Sequence, residues 1–275
     1  MADNYSIING EFYKTSEANV LITDLAVQRG YGIFDFFVTV KGEPIFLEDH
    51  LDRFYNSAAI MRLTLIPSRE TLKKLIYELI EKNNMPDSGI RITLTGGFSS
   101  DGYSIAEPNV LITQNAFVYN KESFYKGINL VTHNYQRQLP QVKTIDYLQA
   151  IYLQPFIKEN NADDVLYHNE GEIRECPRAN FFLVTKDNEI VTAENNVLWG
   201  VNRKKILSFA EFGAKATSVR LEDIDTAKEA FITSTTKFVL PVLNINGKKI
   251  GNGQPGEIST RLFDKLYNLR MANTR

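Results

Sequence analysis

The sequence predicts a mixed α/β protein of two domains, and three observations support this interpretation. Its 275 residues exceed the roughly 150 residues that one domain commonly holds. Strand and helix signals are mixed in the first third of the chain and alternate in the second half. Between these parts, residues 115–126 lose the strand pattern and are mostly polar, which is typical of a linker.

The first elements are two hairpins. Asn9 and Gly10 tolerate positive φ and predict a two-residue turn between short strands within residues 5–13. Residues 41–42, Lys-Gly, predict a second turn within residues 36–46.

Two amphipathic helices and two strands follow. Apolar residues recur at spacings of three and four over residues 47–61, and again after Ser68, whose hydroxyl suits a helix N-cap. Residues 90–95 alternate between apolar and polar, which predicts a strand with Arg91 on its polar face. Residues 110–113 predict the last strand of this half.

Strands and helices alternate in the second half. We expect helices from about Ile145, after Arg203 and after Pro255, and strands near Val165, Phe181 and Ile190 and over residues 230–233.

The composition of the chain argues against several classes of function. The chain has 31 Lys and Arg against 33 Asp and Glu, so it lacks the basic surplus of a protein that binds nucleic acid or an anionic membrane. No signal peptide and no apolar run of about 20 residues is found, so we expect a cytoplasmic location. One cysteine and three histidines predict no metal site. Chemistry must therefore depend on Lys, Arg, Glu, Tyr or a cofactor.

Lys143 is the first candidate for that chemistry. Apolar residues stand on both sides of it, and no acidic residue follows before Asp146. Partial desolvation of a lysine lowers the pKa of its amine and frees the amine for Schiff-base chemistry. The same context also fits a solvated lysine before a helix, so the assignment depends on other motifs.

Three later segments suit an anionic cofactor. Glu175 precedes Asn180, which opens an apolar strand. Gly200 stands at the start of a helix, where free N–H groups hold a phosphate. Residues 233–236, Thr-Ser-Thr-Thr, offer hydroxyl and backbone donors at the end of a strand. Taken singly, each segment also has an ordinary structural interpretation, such as an exposed loop acid or a strand end.

In this order the motifs resemble the class IV pyridoxal-phosphate aminotransferases, which include branched-chain aminotransferases, D-amino-acid aminotransferases and aminodeoxychorismate lyases. Asp24 and residues 30–35, Gly-Tyr-Gly-Ile-Phe-Asp, resemble the family's Asp…Gly-Asp-Gly-Val-Phe-Glu segment. Residues 47–53, followed by Ser57 and Ala58, resemble its His-Leu-x-Arg-Leu…Ser-Ala helix. The four blocks together span most of the chain.

The resemblance implies the two-domain fold of D-amino-acid aminotransferase-like enzymes. A smaller α/β domain covers residues 1–115, residues 116–121 form the linker, and a larger cofactor-binding domain covers residues 122–275. It also implies pyridoxal 5'-phosphate in the cleft between the domains and an active site built at a homodimer interface.

The resemblance further assigns roles to individual residues. Lys143 would carry the cofactor covalently, and Glu175 would pair with the pyridine nitrogen so that the ring acts as an electron sink. Tyr147, on the helix predicted after Lys143, would bond the phenolic oxygen, the alternative being that it only packs there, and Phe34 would form a pocket wall. The phosphate would be held by Arg53, the N–H groups of Val201 and Asn202, and Ser234 with Thr235.

Some positions depart from the family pattern. Gly96 stands where D-amino-acid aminotransferases have an arginine that helps bind the substrate carboxylate, so another cation must replace it. We expect Arg29 or Arg91 to do so, since a guanidinium suits bidentate carboxylate binding; the alternative is that Arg91 pairs with a structural acid and Arg29 lies on a dimer surface. Asn202 replaces the usual Thr, and Asp35 replaces the usual Glu.

The predicted function is transamination between an amino acid and a 2-keto acid. Residues 233–236 resemble the D-amino-acid enzymes and favour D-substrates, whereas Gly96 favours the branched-chain L-enzymes. Two further alternatives are an aminodeoxychorismate lyase, which the Phe-Asp-Phe at residues 34–36 disfavours, and a cofactor-free binding protein, which the retained Lys143 and Glu175 disfavour.

Overall fold

The computed structural model describes residues 4–64 and 67–272, and these form two compact units. The first unit comprises the described residues up to Val118, Val142–Asp146 and the described residues from Arg270. The second comprises Tyr119–Gln141 and Tyr147–Leu269. The sequence interpretation treats residues 122–275 as one continuous domain, whereas the short segment Val142–Asp146 packs with the first unit.

The described part of the first unit holds a six-stranded sheet with two helices packed on it. The elements of this unit are β1 Tyr5–Ile8, β2 Glu11–Lys14, α1 Leu25–Arg29, β3 Gly32–Val40, β4 Glu43–Pro44, α2 Leu47–Ile60, α3 Arg69–Lys82, β5 Ser88–Thr95 and β6 Val110–Ala116. In strand order the sheet runs β2-β1-β6-β5-β3-β4, and its pairs are antiparallel. The helices α2 and α3 pack on this sheet.

One apolar core holds the first unit together. Phe54 of α2, Ile76 of α3 and Ile92 of β5 are fully buried in it. The periodicity that predicts the two helices is therefore the periodicity of their buried faces. Ser68 caps α3, as predicted, because its Oγ accepts a hydrogen bond from the N–H of Thr71 at 3.3 Å.

The second unit contains a larger sheet, of ten strands among the described residues. The elements are α4 Glu122–Lys126, β7 Ile128–Asn134, α5 Leu148–Tyr152, α6 Gln154–Glu159, β8 Asp164–Asn169, β9 Glu172–Ile173, β10 Glu175–Cys176, β11 Ala179–Val184, β12 Ile190–Ala193, α7 Val201–Ser208, β13 Lys215–Thr217, β14 Glu229–Ser234, β15 Phe238–Ile245, β16 Lys248–Lys249 and α8 Glu257–Ala272, of which the residues from Arg270 belong to the first unit. The main path of the sheet is β13-β12-β11-β14-β15-β7-β8-β9, with β10 paired to β11 and β16 paired to β15.

The helix predicted from about Ile145 begins later, at Leu148. The N–H of Ile145 donates to the carbonyl of Gly32 at 3.1 Å, and the carbonyl of Lys143 accepts from the N–H of Phe34 at 2.9 Å. These backbone groups are used by an antiparallel bridge to β3, so they are not available for helical bonds. No helix in residues 4–64 or 67–272 is long and apolar enough to cross a membrane.

Candidate active site

Lys143 is held against β3 in the first unit. Its carbonyl accepts from Phe34, and the isolated bridge joins Ile33 to Thr144. The N–H of Lys143 points to Oγ of Ser57 on α2, at 3.4 Å. β3 and α2 together therefore fix the backbone at Lys143. The position of the amine then depends only on the conformation of the side chain.

The ring of Phe34 brings two cations together. The Nζ atom of Lys143 lies 4.5 Å from the ring centroid, and the guanidinium carbon of Arg91 lies 3.8 Å from the same centroid. Both distances are within the range of a cation–π contact. Phe34 is buried and Arg91 is exposed. Three of the residues predicted for the site thus form one cluster, which pairs an amine with a guanidinium that suits a carboxylate.

Arg53, predicted to hold phosphate, is bonded to Asp35. Its Nε donates to Oδ2 of Asp35 and its Nη2 donates to Oδ1, both at 2.8 Å. His50, one turn earlier on α2, lies with its Nδ1 2.7 Å from Oδ1 of the same carboxylate. An ionised carboxylate only accepts hydrogen bonds, so we assign the proton to Nδ1. Asp35 therefore orients Arg53 through two bonds, while the Nη1 group of Arg53 is not used in them.

Burial and neighbouring charges shift the pKa values of Asp35 and His50 in opposite directions. Burial by itself raises the pKa of Asp35, but Arg53 and His50 outweigh it and hold the pKa well below the usual range. Burial lowers the pKa of His50, and the attraction of Asp35 only partly offsets this. The pair is therefore an ionised aspartate beside a neutral histidine at neutral pH.

Acidification is expected to destabilise the protein through His50. The unfolded chain takes up a proton near the ordinary histidine value of 6.5, whereas the folded protein takes it up at lower pH. Because the unfolded state then binds more protons, the free energy of unfolding falls by up to about 1.4 kcal/mol per pH unit below that value. Asp35 contributes no pH dependence of stability between pH 5 and 8, since the ordinary pKa of an aspartate lies below this window.

Thermal unfolding between pH 5 and 8 measures this effect. The His50→Asn variant should have a smaller slope of stability against pH than the parent. Equal slopes in the two proteins would show that His50 does not titrate on unfolding in this range.

Arg29, the other predicted carboxylate binder, lies elsewhere in the first unit. It ends α1, is exposed, and donates from Nη1 to the carbonyl of Gln28 at 3.0 Å. Two exposed apolar side chains precede Arg29 in the sequence, namely Ile22 and, on the same helix, Val27. The structure therefore groups Arg91, but not Arg29, with Lys143 and Phe34.

Glu175 lies in β10 of the second unit and is buried. Its Oε1 accepts from Nε and Nη2 of Arg137, at 3.0 and 2.9 Å. Its Oε2 accepts from Nδ2 of Asn180 at 3.1 Å and from the N–H of Leu198 at 3.0 Å. Four donors thus hold one carboxylate in a single orientation.

The start of α7 and the turn after β14 form a second cluster in this unit. Val201 and Asn202 occupy the first turn of α7, where backbone N–H groups have no preceding helical carbonyl to bond. The side chain of Asn202 donates from Nδ2 to the carbonyl of Ser234 at 2.7 Å. It therefore joins the helix start to the turn, while Ser234 and Thr235 stay half-buried there.

This arrangement fits the phosphate of the implied cofactor. The first turn of α7 carries no acidic side chain, and the partial positive charge of a helix N-terminus attracts an anion. Gly200 precedes it, and a Cβ there would collide with Oδ1 of Asn180. The absence of a side chain at Gly200 keeps Asn180 in place, and Asn180 in turn holds Glu175.

Tyr147 stands outside the helix on which it was predicted. It occupies the position before α5, with φ of −123°, and its carbonyl accepts from the N–H of Ile151 at 3.0 Å. The reason is the bridge of Lys143 and Ile145 to β3, which delays the helix. The side chain of Tyr147 is half-buried, and its contact with a cofactor stays a prediction.

Sequence reasoning missed two residues that hold the site residues in place. The sequence marks Asp35 only as a shortened glutamate and does not indicate its bonds to Arg53. It indicates no role for Arg137. The only signal for Arg137 was a cation six residues before Lys143, which is too common to identify a partner for Glu175.

Comparison with known proteins gives a family for this arrangement. The model of the amino-transferase class IV family matches residues 32–245. The D-alanine aminotransferase of Staphylococcus haemolyticus is 29% identical over 276 residues, which cover 96% of this chain and 98% of the relative. That of Bacillus licheniformis is 28% identical and covers 98% of both.

Solved structures share the fold. A branched-chain amino acid aminotransferase from Escherichia coli superposes with a TM-score of 0.87 at 21% identity, covering 99% of this chain and 96% of that one. A hypothetical aminotransferase from Mycobacterium tuberculosis in its PLP-bound form gives a TM-score of 0.84 at 15% identity, covering 98% and 99%.

Proposed function

The chain belongs to the class IV aminotransferases, and from this premise we propose that it moves the amino group of a D-amino acid to a 2-keto acid. Enzymes of this family depend on pyridoxal phosphate, so the chain is a pyridoxal-phosphate-dependent aminotransferase. The observation that carries the residue assignment is the Phe34 cluster. It places the Lys143 amine and the Arg91 guanidinium on one aromatic ring.

Lys143 has two tasks in this proposal. Bound pyridoxal phosphate supplies an electron sink that stabilises negative charge at the substrate α-carbon. Lys143 would hold the cofactor covalently through Nζ. Once the substrate amine takes that place, the free Nζ would accept the proton from the substrate α-carbon and donate it to C4′ of the cofactor. The backbone bonds to Phe34 and Ser57 keep the start of this side chain fixed throughout.

The residues of the second unit are proposed to bind the same cofactor. Glu175 would hold the proton on the pyridine nitrogen. The N–H groups of Val201 and Asn202, with Ser234 and Thr235, would bind the phosphate, and Tyr147 would bind the phenolic oxygen. From the first unit, Arg53 would also bind phosphate, through the Nη1 group that its bonds to Asp35 do not use.

The preference for D-amino acids has support from two sources. Both relatives described above are D-alanine aminotransferases. Residues 233–236 also resemble the D-amino-acid enzymes in sequence. The branched-chain enzymes share the fold at identities below 25%, so they bear on the fold alone. Gly96 remains the point in favour of the L-amino-acid alternative.

Arg91→Ala is expected to weaken the reaction with D-alanine or D-glutamate by roughly ten- to a hundredfold. A set of charge-assisted bonds to the substrate carboxylate is worth about 1.5–3 kcal/mol, which gives this factor. Half-reaction rates against amino acid concentration measure it, with the absorbance of the bound cofactor unchanged.

Arg91→Lys is the matched control for this prediction. It keeps the charge but loses the fork geometry, so we expect only part of the activity to return. Full activity of Arg91→Ala would remove Arg91 from the carboxylate site. Rapid half-reactions with L-leucine and none with any D-amino acid would overturn the enantiomer preference but leave transamination intact.

We also propose that the active protein is a homodimer. In the first unit, Ile22 and Tyr103 are 81% and 85% exposed, and Leu21, Val27 and Ile105 are exposed beside them in sequence. Backbone bonds tie the two segments together, from Leu25 to Gly97 and from Ser99 to Thr23. An apolar surface of this kind favours contact with another chain. Light scattering would test this, with a mass near twice 31.3 kDa as the expected result.

A further inference from the structure

The guanidinium of Arg137 donates hydrogen bonds to two acceptors in the second unit. Nε and Nη2 both donate to Oε1 of Glu175, and Nη2 also donates to the carbonyl of Pro140. The side chain of Glu175 is 7% exposed and that of Arg137 is 19% exposed. An ion pair this deeply buried is weakly screened by solvent, so the charge of Arg137 acts strongly on Glu175.

Neutral groups also surround the carboxylate of Glu175. Asn180 and the N–H of Leu198 are neutral donors. Cys176, the next residue, is neutral because burial raises the pKa of its thiol well above the ordinary value. Arg203 lies near enough for Glu175 to act on it electrostatically, but it donates its Nη2 hydrogen bond to the carbonyl of Ala193 at 2.8 Å. Arg137, by contrast, bonds directly to this carboxylate and carries a charge.

We propose that Arg137 is a positioning residue that keeps Glu175 in its charged form and aims its carboxylate at the ring nitrogen of the cofactor. This inference rests on the proposed function, in which Glu175 holds the proton on that nitrogen. A charged carboxylate favours the proton on the ring nitrogen, whereas a protonated Glu175 competes for that position. Arg137 thus sets which of the two partners holds the proton.

Removal of Arg137 should change how the stability of the cofactor-free protein depends on pH. The buried Glu175 then lacks the cation that is bonded to its carboxylate, so it takes up a proton at higher pH than before. A group whose folded pKa is raised stabilises the fold at low pH and loses that contribution as the pH rises. The loss of stability in Arg137→Gln, relative to the parent, should therefore be larger at pH 8 than at pH 5.5.

Thermal unfolding of the cofactor-free protein at these two pH values tests this step. Arg178→Gln is the matched control, because Arg178 is an exposed arginine three residues from Glu175 and its loss should leave the pH dependence unchanged. The double variant Arg137→Gln with Glu175→Gln should lose the extra pH dependence, since the titrating carboxyl is gone. A stability loss in Arg137→Gln that is the same at both pH values would overturn the proposal.

The second readout is the absorbance of the bound cofactor as a function of pH. With the ring nitrogen less protonated and a positive charge removed, the midpoint of this titration should move up by about one pH unit in Arg137→Gln. Arg137→Lys, which keeps the charge, should move it less. A purely structural role would lower cofactor loading without moving the midpoint.

Failure of the inference and failure of the proposed function are distinguishable. If the parent protein binds no pyridoxal phosphate, the proposed function is wrong. If the parent binds it and Arg137→Gln has the same midpoint as the parent, only the role of Arg137 is wrong.

Discussion

Lys143→Ala should lose transamination by a factor on the order of 10⁴, the largest effect expected for any single substitution in the chain. General acid–base catalysis by a positioned side chain contributes roughly 10²–10⁴, and here the same amine also carries the cofactor. The backbone bonds of Lys143 to Phe34 and Ser57 do not use the side chain, so the fold should persist. Single-turnover half-reactions with D-alanine measure the loss.

Borohydride reduction gives an independent measurement of the covalent bond. The parent protein, loaded with pyridoxal phosphate and reduced, should carry the label on the peptide that contains Lys143. Lys158→Ala is the control, because Lys158 is an exposed lysine of α6, and this variant should keep both the label and the activity. Label on the Lys158 peptide, or full activity of Lys143→Ala, would contradict the assignment.

The local environment of Lys143 shows what sequence can and cannot predict. The amphipathic helices α2 and α3 and the alternating strand β5 were predicted because one face of each is buried, and burial leaves a period in the sequence. The bridge of residues 142–146 to β3 leaves no such period. It depends on backbone groups that meet across more than a hundred residues of chain, so the helix after it was placed too early.

The residues proposed to bind the phosphate and the pyridine nitrogen show that side-chain contacts are equally hard to predict from sequence. Motif spacing identified Arg53 and Glu175, but it does not indicate that Asp35 bonds the first or that Arg137 bonds the second. Both partners lie far from their targets in sequence, at separations of 18 and 38 residues. Residues that act by holding another residue have no fixed spacing, so only the folded structure identifies them.

Glu175→Gln is expected to slow the half-reaction roughly 10- to 10³-fold in protein that still holds the cofactor. A carboxylate beside the pyridine nitrogen raises the pKa of that nitrogen, each unit of the shift is worth about 1.4 kcal/mol, and a neighbouring charge commonly supplies one to three units. An amide supplies no charge, so the ring nitrogen loses its proton and the electron sink weakens.

The contacts of Glu175 determine how this variant must be measured. An amide group can face Arg137 with its oxygen, but its NH₂ then meets the donors of Asn180 and Leu198. Unpaired buried donors cost about 1–3 kcal/mol, so stability and cofactor loading should fall along with the rate. The rate must therefore be measured per loaded site, with cofactor affinity expected to weaken by about an order of magnitude.

Glu170→Gln is the control for this experiment, because Glu170 is an exposed glutamate five residues earlier in the chain. It makes the same chemical change outside the network and should leave rate and loading unchanged. If Glu175→Gln reacts as fast per loaded site as the parent, Glu175 has no part in the chemistry, and the role proposed for Arg137 is wrong with it. If the rate falls while the absorbance midpoint of the bound cofactor rises, the carboxylate acts through the protonation of the ring nitrogen, since misplacement of the cofactor alone would lower the rate without moving that midpoint.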